Sequence, residues 1–546
     1  MPENPLQDPD LVRSLAASMG YFVDAMDGLR QHRGPATDKT SGQIFLRGYY
    51  RPGDGGEDYF LLDPGSTAKD DGGTAINPMG NGAIVNDNGG RWVRMTRGAF
   101  VTPLWWGAKF DDAADDSAQI QAAIDFAIAT GGEVLLPPGT AKITRTLVLT
   151  SSHGNHSGFR FAGRGKFGDS GSSMRGGSGT LLKYYGDANS AEAILTIDRS
   201  LWRYTTVADL SLLAVTGFGA KFGILFSSTE FSQHMVENVT VGNVKIAYGI
   251  VKGSGGNGEF TYFRNCDAGQ VGAFFYNNAG QAFTQRFEHC SCGLLPGGTY
   301  FVLDVVSGIS PGGGLIVTDF DATGGGAGDP NPPTNTTLLH TGESMAPISF
   351  TGGRIEHLTR LVDLAPNFLG LNIAFRDIDI TADCDPALPK NKVGAFITAR
   401  DNPAIVSVSD CSIAGAHGHE VLGIDLEKCR DYGPTIRFER CIFGGFVELP
   451  KVIGAPQETA ATIRFTDCLA SIDSPRRQPL NYAWGSEAGT GFETPRTIYA
   501  GSPPLQGTWR VGDQALNREP KAGSYIGWVC VAAGSPGEWR PFGPIA

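Results

Sequence analysis

The chain has 546 residues, of which 76 are glycine and 32 are proline, and this share of turn-forming residues excludes a helical bundle. A hydrophobic fraction of 41% excludes a disordered chain, and the glycines keep no three-residue period, which excludes collagen. Because the net charge is −12, no nucleic acid is expected as a partner. An acidic polymer is not excluded as a substrate, because local basic patches can coexist with a negative net charge.

Residues 1–40 are predicted to form a polar lead that contains one amphipathic helix. Apolar residues recur every three to four positions between Leu11 and Met26, which is the spacing of one helical face. The helix either packs on its own domain or oligomerises at a shared axis, and the two interpretations are equally open. The opening Met-Pro-Glu-Asn-Pro lacks the basic and apolar parts of a signal peptide, so synthesis without a secretion signal is expected.

Residues 41–100 are predicted to form a small β module, because short apolar runs alternate with Gly, Asp and Asn turns. A helix is then predicted from Ala118 to Ala129, capped by Asp115-Asp116-Ser117 and ended by Gly131. Strands follow from residue 133 onwards. No apolar run in the chain is long enough to cross a membrane, so no membrane partner is expected.

From about residue 205 to residue 470 one unit repeats: an apolar residue, any residue, a polar turn-former and a second apolar residue. The unit occurs nine times at steps of 23 to 35 residues, which is the signature of a solenoid. Because no helical period separates the units, they predict a right-handed parallel β-helix with three short strands per coil. The units begin at Val236, Phe263, Phe287, Val317, Gly352, Phe375, Val408, Phe438 and Phe465, and the one at Gly352 is the weakest match.

Two columns of the repeat have a structural interpretation. The last position is predicted to hold small apolar fillers stacked inside the coil, and disulfides between them are not favoured. These fillers include Cys266, Cys290, Cys411, Cys441 and Cys468. The position before is predicted to hold corner residues whose side chains bond the backbone of a turn. They are Asn238, Asn265, His289, Asp319, Asp377, Asp410 and Asp467.

Residues 476–546 are predicted to form a separate small β domain that serves in trimerisation or carbohydrate binding. The segment holds Trp484, Trp509, Trp528 and Trp539, half of the chain's tryptophans. The nine cysteines of the chain include no pair of CxxC motifs, so no zinc site is expected and no cofactor is predicted. The β-helix is predicted to span residues 101 to 475 and to be the catalytic domain.

Several motifs resemble the pectate-lyase-like β-helix superfamily, in the version found in phage tailspikes and related polysaccharide depolymerases. They are Trp106-Gly107-Ala108-Lys109-Phe110-Asp111, Asp115-Asp116-Ser117 and Leu135-Leu136-Pro137-Pro138-Gly139-Thr140, where Ala141 replaces the usual aromatic residue. The modules at both ends are similar to modules of the same proteins. The resemblance implies an all-β fold, a polysaccharide substrate, a homotrimer and action outside the cell or on a virion.

The residue after each inward filler is expected to face outward, because side chains alternate along a strand. Asp321, Glu356 and Asp379 take this position in three consecutive units, so they are predicted to stack on one outer face about 4.8 Å apart. They are interpreted either as a solvated charged face or as a paired-acid site, in which crowding raises the pKa of one carboxyl group.

The spacing of these carboxylates bears on the reaction. Neighbouring coils give about 5 Å, the separation in retaining glycosidases, and skipping one coil gives about 9–10 Å, which favours inversion. The resemblance implies a Glu and Asp pair on adjacent coils, and we predict Asp321, Glu356 and Asp379 as acid and base of an endo-acting hydrolase. Residues predicted to bind substrate are Arg354, Arg376, Asp267, Arg264 and Glu288.

Other functions are left open by the sequence. Elimination on a uronate would use His289, Arg264 or Arg286 as its basic groups, with Asp267 and Asp321 holding calcium. A Ser-His-Asp hydrolase ranks third, since no G-x-S-x-G elbow is present. A tail adhesin that binds glycan without cleaving it and a purely structural trimer are the non-catalytic alternatives. A long insertion follows Phe320. It is expected either to form one side of a groove beside Asp321 or to be a surface loop without a role in binding.

Overall fold

A computed structural model describes most of the chain, in segments separated by short gaps. The described residues are 21–32, 42–78, 90–96, 100–151, 156–166, 178–186, 192–198, 201–215, 219–227, 230–251, 257–279, 284–304, 314–324, 336–342, 347–367, 370–383, 395–416, 420–429, 431–454, 461–472, 477–487, 490–505 and 509–546. The predicted insertion after Phe320 lies mostly outside them.

The N-terminal module is a five-stranded sheet with one short helix, Met26–Gln31. Its strands in spatial order are Tyr21–Val23, Gln43–Leu46, Asp58–Asp63, Arg91–Arg94 and Ala75–Ile76. The predicted helix between Leu11 and Met26 is therefore wrong at its C-terminal end, where a strand pairs with Gln43–Leu46, and its first ten residues lie outside the described part. The small β module is confirmed.

A buried cation packs the module against the start of the β-helix. Arg94 has a fully buried side chain whose Nε donates to the Gly73 carbonyl oxygen at 2.9 Å. Its guanidinium carbon lies 4.7 Å from the centre of the Trp105 ring, in the 3₁₀ helix Pro103–Trp106. Burial lowers the pKa of Arg94 to about 10, although Asp58 at 3.5 Å opposes this effect.

The helix that covers the first coil is Ser117–Thr130, close to its predicted bounds, and Gly131 ends it at a φ of 76°. The cap differs from the prediction. The Asp116 carboxylate accepts from the backbone N–H of Lys109 and of Phe110 instead of from the helix, while Asp115 accepts from Ser117 N at 3.0 Å.

The main body is a parallel β-helix, as predicted, and most of its strands follow one another in a 34-stranded sheet. Up to the last coil its strands are Phe100–Val101, Asp111–Asp115, Glu133–Leu135, Gly139–Ile143, Leu147–Leu149, Arg160–Ala162, Thr180–Tyr184, Ala193–Ile197, Thr206–Ala214, Phe222–Phe226, Met235–Gly242, Ile246–Ile250, Tyr262–Arg264, Asp267–Asn277, Gln285–Glu288, Ser291–Leu303, Leu315–Gly324, Thr337–Thr341, Ile348–Leu358, Arg360–Leu364, Asn372–Arg376, Asp379–Ala382, Ala395–Ala399, Ile405–Ser409, Ser412–Gly415, Glu420–Asp425, Thr435–Glu439, Ile442–Ile453 and Ala461–Ile472.

Register between the strands divides each coil into three faces, taken in chain order. Face 1 comprises 133–135, 160–162, 206–208, 235–237, 262–264, 285–288, 315–318, 348–351, 372–376, 405–409, 435–439 and 461–466. Face 2 comprises 139–143, 180–184, 210–214, 239–242, 267–271, 291–294, 320–324, 353–358, 379–382, 412–415, 442–446 and 469–472. Face 3 comprises 147–149, 193–197, 222–226, 246–250, 273–277, 299–303, 337–341, 360–364, 395–399, 420–425 and 451–453.

The corner between faces 1 and 2 is made by the predicted column of polar residues. All seven have a left-handed backbone with φ between 51° and 57°, a conformation that Asn and Asp tolerate better than most residues. The filler column behind them is also confirmed: its cysteines are buried, and the thiols of Cys266, Cys441 and Cys468 each donate to a carbonyl oxygen of the preceding coil.

The predicted repeat fails at its weakest unit. Thr351 pairs with Thr318 and Gly353 pairs with Phe320, so the unit begins at Phe350 and not at Gly352. Gly353 takes the filler position with a φ of 96°, and a Cβ there would lie 2.3 Å from the Phe320 carbonyl oxygen. A glycine in place of the second apolar residue hides the unit from a search for apolar pairs.

The C-terminal strands are added to the last coil in mainly antiparallel fashion. They are Gln478–Glu487, Thr490–Ala500, Gln514–Asn517, Tyr525–Ala532 and Glu538–Pro544. Trp509 and Trp539 pack edge to face with ring centres 5.1 Å apart. A separate four-stranded sheet is formed by His156–Ser157, Leu201–Arg203, Glu230–Ser232 and Asn257–Glu259. The predicted domain boundaries at residues 40, 100 and 475 stay predictions.

Candidate functional site

The outer side of face 2 carries a continuous row of polar residues, here called the face-2 row. Register joins each member to the next on the neighbouring coil. The row consists of Ser211, Thr240, Asp267, Ser291, Asp321, Arg354, Asp379 and Ser412. Its first members are buried and the members from Asp321 onwards are exposed, so the row opens to solvent at Asp321.

The prediction that Asp321, Glu356 and Asp379 stack in one column is wrong in one place. Arg354 pairs with both Asp321 and Asp379, whereas Glu356 pairs with Thr323, two residues further along the same strand. The shifted unit around Gly353 is the cause. Since side chains alternate, a two-residue shift keeps Glu356 on the outer side of face 2.

The three carboxylates therefore form a triangle around Arg354. Asp321 and Asp379 are two coils apart, which places their Cα atoms about 9.6 Å from each other. Glu356 lies one coil and two residues from Asp321, and combining about 4.8 Å with about 6.6 Å gives a Cα separation of about 8 Å. The same reasoning gives a similar separation from Asp379.

Glu356 is held in place by Arg354, whose Nη2 lies 2.5 Å from the Glu356 Oε1. The Arg354 side chain is 62% exposed while that of Glu356 is 30% exposed, so the guanidinium covers the carboxylate from the solvent side. Tyr300 lies behind the site with a buried Oη that has no hydrogen-bond partner among the described residues. Burial, aided by the charges of Asp321 and Glu356, raises the pKa of Tyr300 well above its usual value, which keeps the phenol protonated.

Asp267, predicted to bind substrate, is occupied by its neighbours. Lys166 Nζ lies 2.5 Å from one carboxylate oxygen, and Ser291 Oγ donates to the other at 2.7 Å. Lys166 belongs to the segment after Ala162 and crosses several coils to reach this contact. The ion pair therefore closes the face-2 row at one end and leaves Asp321, Arg354 and Asp379 open.

Of the predicted substrate-binding residues, Arg354 lies at this site, and the remaining three lie elsewhere. Arg264, Glu288 and Arg376 lie on the outer side of face 1, across the left-handed corner. Arg264 Nε donates to Glu237 Oε1 at 2.9 Å, and Glu288 lies 2.6 Å from Arg286. The first pair joins neighbouring coils, whereas the second lies within one strand.

The residues predicted for elimination are not assembled either. His289 Nδ1 lies 3.3 Å from Asp319 on the exposed corner, whereas Arg264 and Arg286 form ion pairs with Glu237 and Glu288 on face 1. Asp267 and Asp321 are separated by Ser291 in the face-2 row, and the two carboxylate oxygens of Asp267 are engaged by Lys166 and Ser291. No cluster of three metal-ligand side chains occurs within the described ranges.

Two histidine–aspartate pairs were missed by sequence reasoning. His357 follows Glu356 at a left-handed bend, and its Nδ1 lies 3.0 Å from Asp383 Oδ2. His340 Nδ1 lies 2.9 Å from Asp363 Oδ2 on face 3. The partners are 26 and 23 residues apart, close to one coil, so a correct register would have revealed them. The register was misread because the repeat unit begins at Phe350 and not at Gly352.

In the described part of the chain, no helix is both long and apolar enough to cross a membrane. The sequence model of the phage tail protein small four-stranded beta-sheet domain matches residues 22–97. No curated protein sequence matches the chain.

Solved structures similar to the chain include phage tailspikes. The gp42 tailspike of Acinetobacter phage vb_AbaP_AS12 aligns with 12% identity and a TM-score of 0.56, covering 90% of this chain and 82% of that one. Tailspike gp49 of Acinetobacter baumannii bacteriophage Fri1, a capsular polysaccharide depolymerase, aligns with 12% identity and a TM-score of 0.41 over 90% of this chain and 93% of its own. The chain therefore has the parallel β-helix fold of a phage tailspike, behind a phage-tail β module.

Proposed function

We propose that the chain is a tailspike-type depolymerase that hydrolyses a bacterial surface polysaccharide or exopolysaccharide within the chain of sugars. The observation that carries the proposal is the triangle of Asp321, Glu356 and Asp379 around Arg354 on the open part of the face-2 row. A parallel β-helix has no structural need for three carboxylates on one outer patch. The fold shared with a tailspike is consistent with a glycan substrate.

The proposed reaction is acid–base hydrolysis with inversion. One carboxylic acid protonates the glycosidic oxygen, and a carboxylate on the other side of the sugar removes a proton from the attacking water. The Cα separations of about 8 to 9.6 Å are closer to the roughly 6.5–9.5 Å between carboxyl groups in inverting enzymes, which leaves room for that water, than to the roughly 5–5.5 Å in retaining enzymes. We assign the base to Glu356, which accepts from Arg354, and the acid to Asp321 or Asp379.

Arg354 has a second proposed role. Its guanidinium has five N–H donors and Glu356 occupies a minority of them, so the rest can bind hydroxyl or acidic groups of the substrate. The ion pair of Lys166 with Asp267 then limits the proposed substrate-binding part of the face-2 row on one side. The polymer is expected to cross the exposed members of the face-2 row.

The test is release of reducing ends from a panel of bacterial exopolysaccharides by the purified full-length protein. Asp321→Asn, Glu356→Gln and Asp379→Asn remove one carboxylate each, and loss of the acid or the base is expected to lower the rate about 10²- to 10⁴-fold. If all three variants cleave at the parent rate, the site is wrong. An unsaturated product absorbing in the ultraviolet would identify elimination, and binding without cleavage would identify an adhesin.

Matched controls are available two residues before each aspartate. Asp319→Asn and Asp377→Asn remove the same charge from the same coils, and both positions are left-handed corners that Asn tolerates. Their rates are expected to equal that of the parent. A drop in these controls would mean that general charge loss, and not the triangle, affects the activity.

The assembly and location of the protein are further parts of the proposal. We propose a homotrimer that acts outside the cell as part of a virion, as the resemblance to tailspikes suggests. Light scattering of the full-length protein is expected to give three times the mass of one chain. A monomer in solution would contradict the trimer without bearing on the face-2 carboxylates.

A further inference from the structure

Face 3 carries a charged group of residues that the face-2 site does not use. One outward row on this face runs through Tyr276, Val302, His340, Asp363 and Thr398, each paired with the next. The row is uncharged up to Val302 and becomes charged at His340. An abrupt change of this kind on an outer face has no explanation in the packing of the coil.

Three side chains on this face are in direct contact, and we call His340, Asp363 and Arg400 the face-3 cluster. His340 Nδ1 lies 2.9 Å from Asp363 Oδ2, and Arg400 Nη1 donates to Asp363 Oδ1 at 2.8 Å. The carboxylate is 13% exposed, whereas the side chains of His340 and Arg400 are 30% and 31% exposed. The aspartate therefore lies behind two groups that solvent reaches.

The charge state of Asp363 fixes what His340 presents to solvent. Burial alone would raise the pKa of Asp363, but the hydrogen bond with His340 and the charges of Arg400 and Arg360 outweigh it and lower the pKa. An ionised Asp363 accepts a hydrogen bond from the Nδ1–H of His340, so the neutral imidazole carries its lone pair on Nε2. Arg400 gives one donor to Asp363 and retains the others.

We propose that the face-3 cluster binds an acidic sugar, a uronic acid residue of the polysaccharide. The remaining guanidinium donors of Arg400 fit its carboxylate, and Nε2 of His340 accepts from a neighbouring hydroxyl group. The inference rests on the proposed function only in taking the ligand to be a polysaccharide. A neutral sugar has no anion for Arg400, and inorganic phosphate lacks the ring of hydroxyl groups.

A purely structural ion pair is the alternative. Such a pair would use Asp363 and Arg400 and would not require an oriented histidine. The chain also provides that simpler case. Arg440 and Asp410 pair through two hydrogen bonds of 2.6 Å on the exposed corner. Arg440→Gln is therefore the matched control for Arg400→Gln.

The experiment follows the histidine side-chain signals of isotope-labelled, full-length protein by NMR during titration with sodium glucuronate, glucose and sodium phosphate at neutral pH. Free glucuronate and glucose contain no glycosidic bond to cleave, so the parent chain is used, and His340→Gln identifies the His340 signal. Glucuronate is expected to move that signal in a saturable manner, phosphate less and glucose not at all. Arg400→Gln is expected to weaken glucuronate binding about tenfold or more, since a charged hydrogen bond is lost. Arg440→Gln is expected to bind like the parent.

Several results would overturn the proposal. They are an unmoved His340 signal, an equal response to glucose, an equal response to phosphate, and unchanged binding in Arg400→Gln. None of them depends on cleavage at face 2. Conversely, intact cleavage in the Asp321, Glu356 and Asp379 variants would refute the face-2 site and leave the binding result readable.

Discussion

His234 is expected to make the stability of the β-helix fall in mild acid. Its side chain is fully buried at the start of the coil that includes Met235–Gly242, where the ring lies 5.9 Å from that of Phe226. Nδ1 accepts from the backbone N–H of Thr205 at 3.1 Å, so that nitrogen carries no proton. Burial lowers the pKa of His234 from 6.5 to about 4.

The lowered pKa of His234 determines the direction and the size of the change in stability with pH. The unfolded chain binds a proton at His234 below pH 6.5 while the folded chain does not until about pH 4, so acid favours unfolding in this range. The stability is fully present above pH 6.5 and declines as the pH falls to about 4. The difference between a pKa of 6.5 in the unfolded chain and about 4 in the folded chain corresponds to about 3.5 kcal/mol of stability, at about 1.4 kcal/mol per pKa unit.

Equilibrium urea unfolding of the parent and of His234→Gln, at a series of pH values between 4 and 7, measures the effect. The glutamine retains an acceptor for Thr205 and does not titrate, so the variant is expected to lose less stability on acidification. His289→Gln, at an exposed corner, is the control and should behave like the parent. Parallel stability curves for the parent and His234→Gln would refute the reasoning.

Three further predictions concern other parts of the molecule. Gly353→Ala should lower the melting temperature measured by calorimetry, because a Cβ would approach Phe320 O to 2.3 Å at a left-handed φ; an unchanged melting temperature would contradict the register. Arg94→Gln should destabilise the N-terminal module by about 3–5 kcal/mol, seen as earlier proteolysis there, because it leaves the neighbouring Asp58 without its buried cation. Asp363→Asn should remove a stabilising contribution that is present above the ordinary pKa of aspartate and lost as the pH falls below it, so in acid unfolding the variant should resemble the parent more closely than at neutral pH.

The fold could be predicted because each repeat unit is defined by residues that are adjacent in the sequence. Polar residues that tolerate a left-handed backbone stand at most of the corners between faces 1 and 2, and mainly apolar residues stand behind them, so the repeat period and the inward face could be inferred from the sequence. The candidate site could be predicted only in part. Asp321 and Asp379 were placed correctly on one outer row, because their units carry the full pattern.

Glu356 was misplaced because the position of one strand relative to the next is a non-local property. Gly353 satisfies the filler position by lacking a side chain, and a pattern of apolar residues cannot detect this. The same error concealed the pair of His357 with Asp383. The contact of Lys166 with Asp267 joins residues 101 positions apart, and no local pattern encodes it.

The stacked cysteine thiols can report on the unfolding of the β-helix. Cys411, Cys441 and Cys468 occupy successive coils and are closed to solvent while those coils stay together. A thiol-alkylating reagent can therefore modify them only after the coils separate. Because mass spectrometry counts the modified cysteines, the order in which these thiols become reactive during heating would show from which end the spiral unwinds.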